Sequence, residues 1–465
     1  MKQMPNGRKQ NMQSSEDKAV QSMKYQNGRI MFQIQGDPIG KGGNGRVFRI
    51  KILEGKETLK KEWPDVNTDK LVAKFFYQNE RKSPEERSRR YKRFCVEIEE
   101  QKRLCKQISG IIPVMEHSVF EENKEGEAWY IMPEAKVYST TKTNGATKRD
   151  ILLRKLKHML ELAEIIRQMH EMGVRHRDIK PANIFFYKNR IYLGDFGLVW
   201  TADRERMTDF GKPLGPIRIL PPEFESMEEI KDFDYAPSDV YLFVKVLWMA
   251  VKNDINGFRG EYKRGMSQIY LNKAKFGVET LEPLHLLLER GTKDKWEERL
   301  TIEECLEEIK HQIDICEKRL AKQKVRDYIY QEELSYFLTV TPPDRKVYGG
   351  ERDILKCLDA MMGYCKLIIK NGSESYEIYP SSVHREKEKV FLFTEKIAEQ
   401  NAKKYLMHIN RLEIGKDSVV FYTEPFIMEN ENYLSASVLN RMQYRVETKI
   451  AFDGMYVVGM IRSSF

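Results

Sequence analysis

The stretch Gly173 to Phe186, GVRHRDIKPANIFF, constrains this chain more than any other. It sets a histidine, several cations, a carboxylate and an asparagine within a few positions, then runs directly into the apolar Ile184, Phe185 and Phe186. Charge packed against a segment that must be buried is useful only where a rigid scaffold fixes its geometry. The chain has the material for such a scaffold: its 465 residues exceed one ordinary core, and 41% are hydrophobic. No uncharged apolar run of about twenty residues occurs, so no transmembrane helix is expected. The opening residues also lack an apolar stretch of signal-peptide type.

The cysteines at 95, 105, 305, 316, 357 and 365 are scattered and form no C-x-x-C pair. That usage fits reduced thiols in a cytoplasmic protein better than a disulfide frame or a zinc site. A formal charge of +9 is modest for this length and does not point to nucleic acid.

Hydrophobic periodicity divides the chain. Residues 1–28, rich in Gln, Asn, Ser and Lys, read as a floppy tail. From there to Phe76 the pattern is strand-like, in RIMFQIQGDPIG, KGGNGRVFRIKIL and LVAKFF, with a polar loop before the last. PEERSRRYKRFCVEIEEQKRLCKQ has helical spacing with Phe94, Ile98 and Leu104 on its buried side. IIPVMEHSVF and AWYIMPEAKV read as strands, and RDILLRKLKHMLELAEIIRQMHEMG as an amphipathic helix stopped by Gly173. The chain is then mostly helical to about Cys316, with short strands at NIFFY and IYLGDFG. Residues 29–315 form one such body, 316–346 a charged helical linker, and 347–465 a separate smaller α+β domain with a helix at EKIAEQNAKKYLMHINRL. Its Tyr-rich composition suits a dimerising or partner-binding module.

IGKGGNGRV, Ile39 to Val47, carries G-x-G-x-x-G at Gly40, Gly42 and Gly45. A dinucleotide fingerprint must open a helix, yet the following RVFRIKIL alternates like a strand, and no Gly-Lys-Ser/Thr ends the loop. A glycine loop between antiparallel strands can instead lay backbone amides over a nucleotide's phosphates, with Val47 covering the base. That arrangement is the glycine-rich loop of a protein kinase.

The remaining motifs follow in the same order, and the chain resembles the eukaryotic-like serine/threonine protein kinase family over about residues 30–315. VAKFF supplies Lys74, which the resemblance places on the α- and β-phosphates of ATP. RFCVEIEEQ supplies its partner Glu97, with Glu99 as the rival. HRDIKPAN matches the catalytic loop, DFG the metal-binding turn and PPE the Ala-Pro-Glu end of the activation segment. Asp239 in SDVY matches the aspartate that braces the catalytic loop, and Arg299 is placed to pair with Glu223. The resemblance implies a bilobal α+β fold with a small antiparallel-sheet lobe and a helical lobe. It also implies that ATP and Mg²⁺ bind between the lobes and that protein Ser/Thr hydroxyls are the substrates.

Phosphoryl transfer is mainly positioning and charge neutralisation. The resemblance implies that Asp178 takes or orients the proton of the attacking hydroxyl, that Asn183 and Asp195 hold magnesium, and that Lys180 reaches the γ-phosphate. Lys180 at this position resembles serine/threonine-specific members. His176 reads as a buried scaffold residue. The resemblance also makes WYIMPEAKV the hinge, with Met132 expected to border the adenine pocket and backbone groups near Glu134 and Ala135 expected to meet the adenine edge. One departure stands out: Pro216 occupies the place of the usual activation-segment threonine, so a hydroxyl contact to the catalytic aspartate is lost. Autophosphorylation is expected at Thr208 or Thr201, the available acceptors, with Arg177 as the phosphate's partner. The rivals are a pseudokinase scaffold, which has no use for the whole catalytic set, and a small-molecule phosphotransferase.

Overall fold

The computed structural model describes residues 24–42, 45–77, 83–120, 127–139, 146–201, 218–225, 233–326, 328, 329 and 332, together with backbone strands between 346 and 463. Thr208 and Pro216 lie outside the described residues, as does most of the 1–28 segment. The chain divides into two compact units, Met1–Lys142, Lys157–Gly260 and Asp294–Leu306 in the first, Thr143–Leu156, Glu261–Lys293 and Glu307–Phe465 in the second.

In the first unit, an antiparallel sheet runs in the order β1-β2-β3-β4-β6-β5. Its strands are β1 (Lys24–Gln26), β2 (Met31–Lys41), β3 (Gly45–Glu54), β4 (Leu71–Phe76), β5 (Glu116–Ser118) and β6 (Trp129–Pro133). β1 thus begins inside the segment expected to be a floppy tail. Central β4 is buried along nearly its whole length, as a strand covered on both faces must be. One face packs Phe32, Phe75 and Trp129 together, with Phe32 and Trp129 edge to face at 4.8 Å. The other face meets α2 (Pro84–Leu104) through Phe94, Ile98 and Tyr130.

Helix α2 starts where chemistry allows: the Ser83 hydroxyl accepts from the Glu86 amide, and Pro84 fills the first turn. The polar loop expected before LVAKFF contains a short helix, α1 (Lys56–Glu62), anchored by buried Leu59. α3 (Lys148–Glu171) ends as its pattern demands, with Gly173 at φ +72° where a side chain would be strained.

The helical part is built round α5 (Ala236–Lys252), which follows the single turn α4 (Pro222–Glu225). Every residue of α5 from Ser238 to Val251 is buried, which marks it as a central helix. Short strands β7 (Lys136–Val137), β9 (Ile184–Tyr187) and β10 (Arg190–Leu193) form one sheet, and β8 (Val174–Arg175) pairs β11 (Trp200–Thr201). These small ladders fix both ends of the catalytic stretch. NIFFY and IYLG are the expected strands.

In the second unit, α6 (Glu282–Gly291) carries buried Glu282, whose two oxygens take the fork of Arg264, itself 1% exposed. The segment after α7 (Ile302–Cys316) does not run on as one helix. Lys318 turns at φ +57°, and residues 322–326 are helical again. Tyr328 and Glu332 are buried here, and Glu332 accepts from the Leu281 amide at the start of α6.

Beyond residue 345 the described backbone is a nine-stranded sheet in the order β12-β16-β15-β14-β13-β20-β19-β17, with β18 also on β16. The strands are β12 (Lys346–Tyr348), β13 (Cys365–Asn371), β14 (Glu374–Ser382), β15 (Val390–Glu395), β16 (Lys404–Ile414), β17 (Ser418–Thr423), β18 (Ile427–Glu429), β19 (Tyr444–Ala451) and β20 (Tyr456–Ser463). The helix expected at EKIAEQNAKKYLMHINRL is corrected where it can be seen: Lys404–Ile414 is a strand, paired with β15 and β17. Pairing on both edges overrode the helix-forming composition, which is a weak preference. Residues 396–403 of that expectation lie outside the described residues.

Candidate active site

All the residues that follow belong to the first unit. The glycine stretch is a hairpin, not a helix entry: Gly40 pairs with Val47, Lys41 pairs with Arg46, and the Gly42 amide donates to the Gly45 carbonyl at 2.9 Å. Gly45 is required by space. A Cβ there would lie 2.5 Å from the Phe75 carbonyl and 3.3 Å from the Lys74 side chain. Ile39, 44% exposed, and half-buried Val47 flank the loop.

Lys74, on β4, donates to Glu97 Oε1 on α2 at 2.5 Å. Glu97 is fully buried while Glu99 is exposed, which decides between the two rivals. Tyr130 of β6 donates to the same Oε1 at 2.7 Å. Sequence reasoning missed Tyr130, because no spacing in the chain points a strand tyrosine at a helix carboxylate. On its other side, Lys74 Nζ lies 3.8 Å from Asp195 Oδ1.

The catalytic stretch is braced from beneath. Asp239, in the first turn of α5, accepts from the His176 amide at 2.8 Å and the Arg177 amide at 2.7 Å, and it meets His170 Nε2 at 3.1 Å. Arg177 and Asp195 both hold φ +64°, a strained conformation for side chains of this kind. The two amide bonds to Asp239 hold Arg177 in it. Arg175, just upstream, forks onto Asp234. His176 is fully buried, and burial pushes its imidazole below the ordinary range. As a neutral ring it can accept from the Asp178 amide through Nδ1 at 3.3 Å and donate from Nε2 to the Gly194 carbonyl at 3.2 Å. It is a scaffold residue, as its sequence context implied.

Asp178 receives Lys180 Nζ on both oxygens, at 2.9 and 2.7 Å, and Asn183 Nδ2 on Oδ2 at 2.9 Å. Asn183 also donates to the Asp178 carbonyl at 2.8 Å. Both amide hydrogens of Asn183 thus point at Asp178, which leaves its side-chain carbonyl oxygen as the atom a metal could take.

The electrostatics separate the carboxylates. Burial pushes Glu97 up to about 6 against the pull of Lys74. Burial raises Asp178 as well, opposed by Lys180. Burial would also raise Asp195, but the ammoniums of Lys74 and Lys180 outweigh it and hold Asp195 below its usual range. Lys74 would be lowered by burial, yet Asp195 and Glu97 keep it above its ordinary value. The Gly194 amide, next to Asp195, donates to the Asn183 backbone carbonyl at 3.0 Å, and an ionised, 38% exposed Asp195 carboxylate together with the Asn183 side-chain carbonyl offers hard oxygen donors of the kind a divalent cation takes.

At the hinge, half-buried Met132 packs against the core cluster that contains Tyr130 and Phe94. The Glu134 amide is already used, donating to the Lys70 carbonyl at 2.9 Å, and its carboxylate pairs with Arg49 at 2.7 Å. Among the described residues no hydrogen bond takes up the Ala135 amide, so of the two it is the better donor for an adenine edge. Further along, Glu223 takes the fork of Arg299 at 2.6 and 2.8 Å and the Ser238 hydroxyl at 2.6 Å. Thr201 is 9% exposed within β11, so it is closed to modification in this state.

Residues 34–308 match the family described as Protein kinase domain. Among curated proteins, the chain is 28% identical over 152 residues to Serine/threonine-protein kinase PknA of Mycobacterium tuberculosis, covering 30% of this chain and 32% of that one. It is 26% identical over 215 residues to Serine/threonine-protein kinase PknH of Mycobacterium bovis, covering 45% and 31%. It is 33% identical over 90 residues to Eukaryotic translation initiation factor 2-alpha kinase 1 of Rattus norvegicus, covering 17% and 14%. The chain spans about a third of the length of the first two of these relatives. Among the described residues no helix is long and apolar enough to cross a membrane.

Proposed function

The chain belongs to the protein kinase domain family, and from that premise we propose that it transfers the γ-phosphate of ATP to serine and threonine hydroxyls of proteins. One observation carries the proposal: Lys74 bridges Glu97 at 2.5 Å and Asp195 at 3.8 Å, so a single ammonium links the sheet to the metal-binding turn. A triphosphate entering there meets a cation fixed from behind.

In this mechanism Lys74 holds the α- and β-phosphates, and the loop from Gly40 to Gly45 lays backbone amides over them. Asp195 and the Asn183 carbonyl would hold magnesium, which when bound would supply charge neutralisation for the transfer. Asp178 orients the attacking hydroxyl and accepts its proton, for which an upward-shifted carboxyl is suited. Lys180, already on Asp178, is placed to move to the γ-phosphate as the substrate hydroxyl takes its position. Asp239 keeps the loop rigid while this happens. The Ala135 amide and the Met132 side chain serve the adenine.

The kinase proper is assigned to residues 29–315. Residues 347–465 are assigned to a regulatory partner or a second copy, on composition alone, and the location to the cytoplasm. With Thr201 buried, autophosphorylation is assigned to Thr208.

Labelled ATP with Mg²⁺ and a generic protein substrate tests the function. The full chain should transfer label, and Asp178→Ala should lower transfer by about 10³-fold while still binding nucleotide. Mass spectrometry of the same two samples should find phosphate on Thr208 only with Asp178 intact. No transfer by the unaltered chain, or equal transfer by the variant, would overturn the assignment.

A further inference from the structure

Lys74 and Tyr130 face each other directly across β4 and β6, so their side chains leave the same face of the sheet. Both reach Glu97 Oε1, at 2.5 and 2.7 Å. The second oxygen of Glu97, Oε2, is buried with no hydrogen-bond partner among the described residues. A carboxylate with no exposure is therefore stabilised by two donors on one oxygen, and only one of them is a cation. A buried charge so sparsely satisfied is costly, and the loss of either donor should be felt in full. The Tyr130 ring is itself held, 2% exposed, with the Phe94 ring 5.7 Å away. Its hydroxyl is thus aimed by packing.

We infer that Tyr130 is a positioning residue for phosphoryl transfer, its hydroxyl fixing the Glu97 carboxylate so that Lys74 is presented to the phosphates. This rests on the kinase reading of the site. The ionisable groups facing Glu97 are Lys74 from β4, Tyr130 from β6 and Asp195 from the turn after β10. Lys74 and Tyr130 favour the charged carboxylate, whereas Asp195 opposes it. Without the hydroxyl, burial and Asp195 act against Lys74 alone, and Glu97 should protonate at higher pH.

Tyr130→Phe keeps the ring packing and removes only the donor. In the full chain, the acid limb of the pH profile for phosphate transfer should move up by about one unit. At pH 6.5 the rate should fall about threefold, approaching tenfold near pH 5, and at pH 8 hardly at all, because Glu97 is then ionised in both proteins. A rate loss equal at every pH, or no loss, would refute the assignment and leave a packing role. Thermal unfolding of both proteins between pH 5 and 8 reads the same bond without turnover. The deficit of Tyr130→Phe should open as pH rises, and a flat difference would refute the assignment whether or not the chain transfers phosphate. An unaltered chain that transfers none while the deficit opens would reject the kinase reading and leave the Tyr130–Glu97 bond standing.

Discussion

Glu97, behind the sheet, and Asp195, at the edge of the helical part, are carboxylates that share one ammonium, Lys74. They nonetheless sit in opposite electrostatic states. Glu97 has no exposure and is pushed up to about 6 by burial, while Asp195 keeps 38% exposure and is held low by Lys74 and Lys180. The contrast teaches what each region is for. Behind the sheet, charge is neutralised internally and the pair sets a position. At the turn after β10, negative charge is kept ionised and partly exposed, where, on the proposed kinase reading, a cation and phosphates would use it.

The largest effect on this contrast should come from the brace beneath the catalytic stretch. Asp239→Asn replaces an acceptor by an N–H that faces the amides of His176 and Arg177, and strained Arg177 loses its hold. The fold should lose about 3 kcal/mol, measured by denaturant unfolding. A loss below about 1 kcal/mol would show that the catalytic turn is not held from below.

A smaller effect is expected from pH, and its sign differs for stability and activity. Glu97 is raised from 4.5 to about 6, so its protonated form favours the fold: that contribution is complete below pH 4.5 and is lost as pH rises through about 6. The shift corresponds to about 2 kcal/mol. Transfer should do the reverse, falling as pH drops through about 6, because a neutral Glu97 no longer holds Lys74 as an ion pair. Asp195, shifted down, contributes stability above pH 3.8 that is lost only in stronger acid. Glu97→Gln should abolish both trends near pH 6, read by unfolding and by a transfer profile. Trends that survive in Glu97→Gln would move the titration to another group.

Much of this site was legible because its chemistry is local in sequence. Asp178, Lys180 and Asn183 lie within one short loop, and Gly45 is required by a neighbour on the adjoining strand. Glu97 needed only helical spacing to join Phe94 and Ile98 on the buried side. Tyr130 was not legible, since its role depends on strand register and on a helix laid across it. His170 reaching Asp239 is hidden for the same reason. At the hinge, Glu134 was expected to offer its backbone, but the ladder to Lys70 extends one residue beyond β6 and takes its amide. Lys404–Ile414 misled because its helix-forming composition gives no warning of two strand neighbours.

The most direct test of the account is a calorimetric titration of Mg²⁺–ATP into the full chain and into Lys74→Met and Asp195→Asn. The account predicts saturable heat for the unaltered chain and binding at least about tenfold weaker in each variant, since one removes the cation that meets the phosphates and the other the carboxylate that would hold their magnesium. No saturable heat in the unaltered chain, or affinity unchanged in both variants, would contradict the convergence of Lys74 and Asp195 on one ligand.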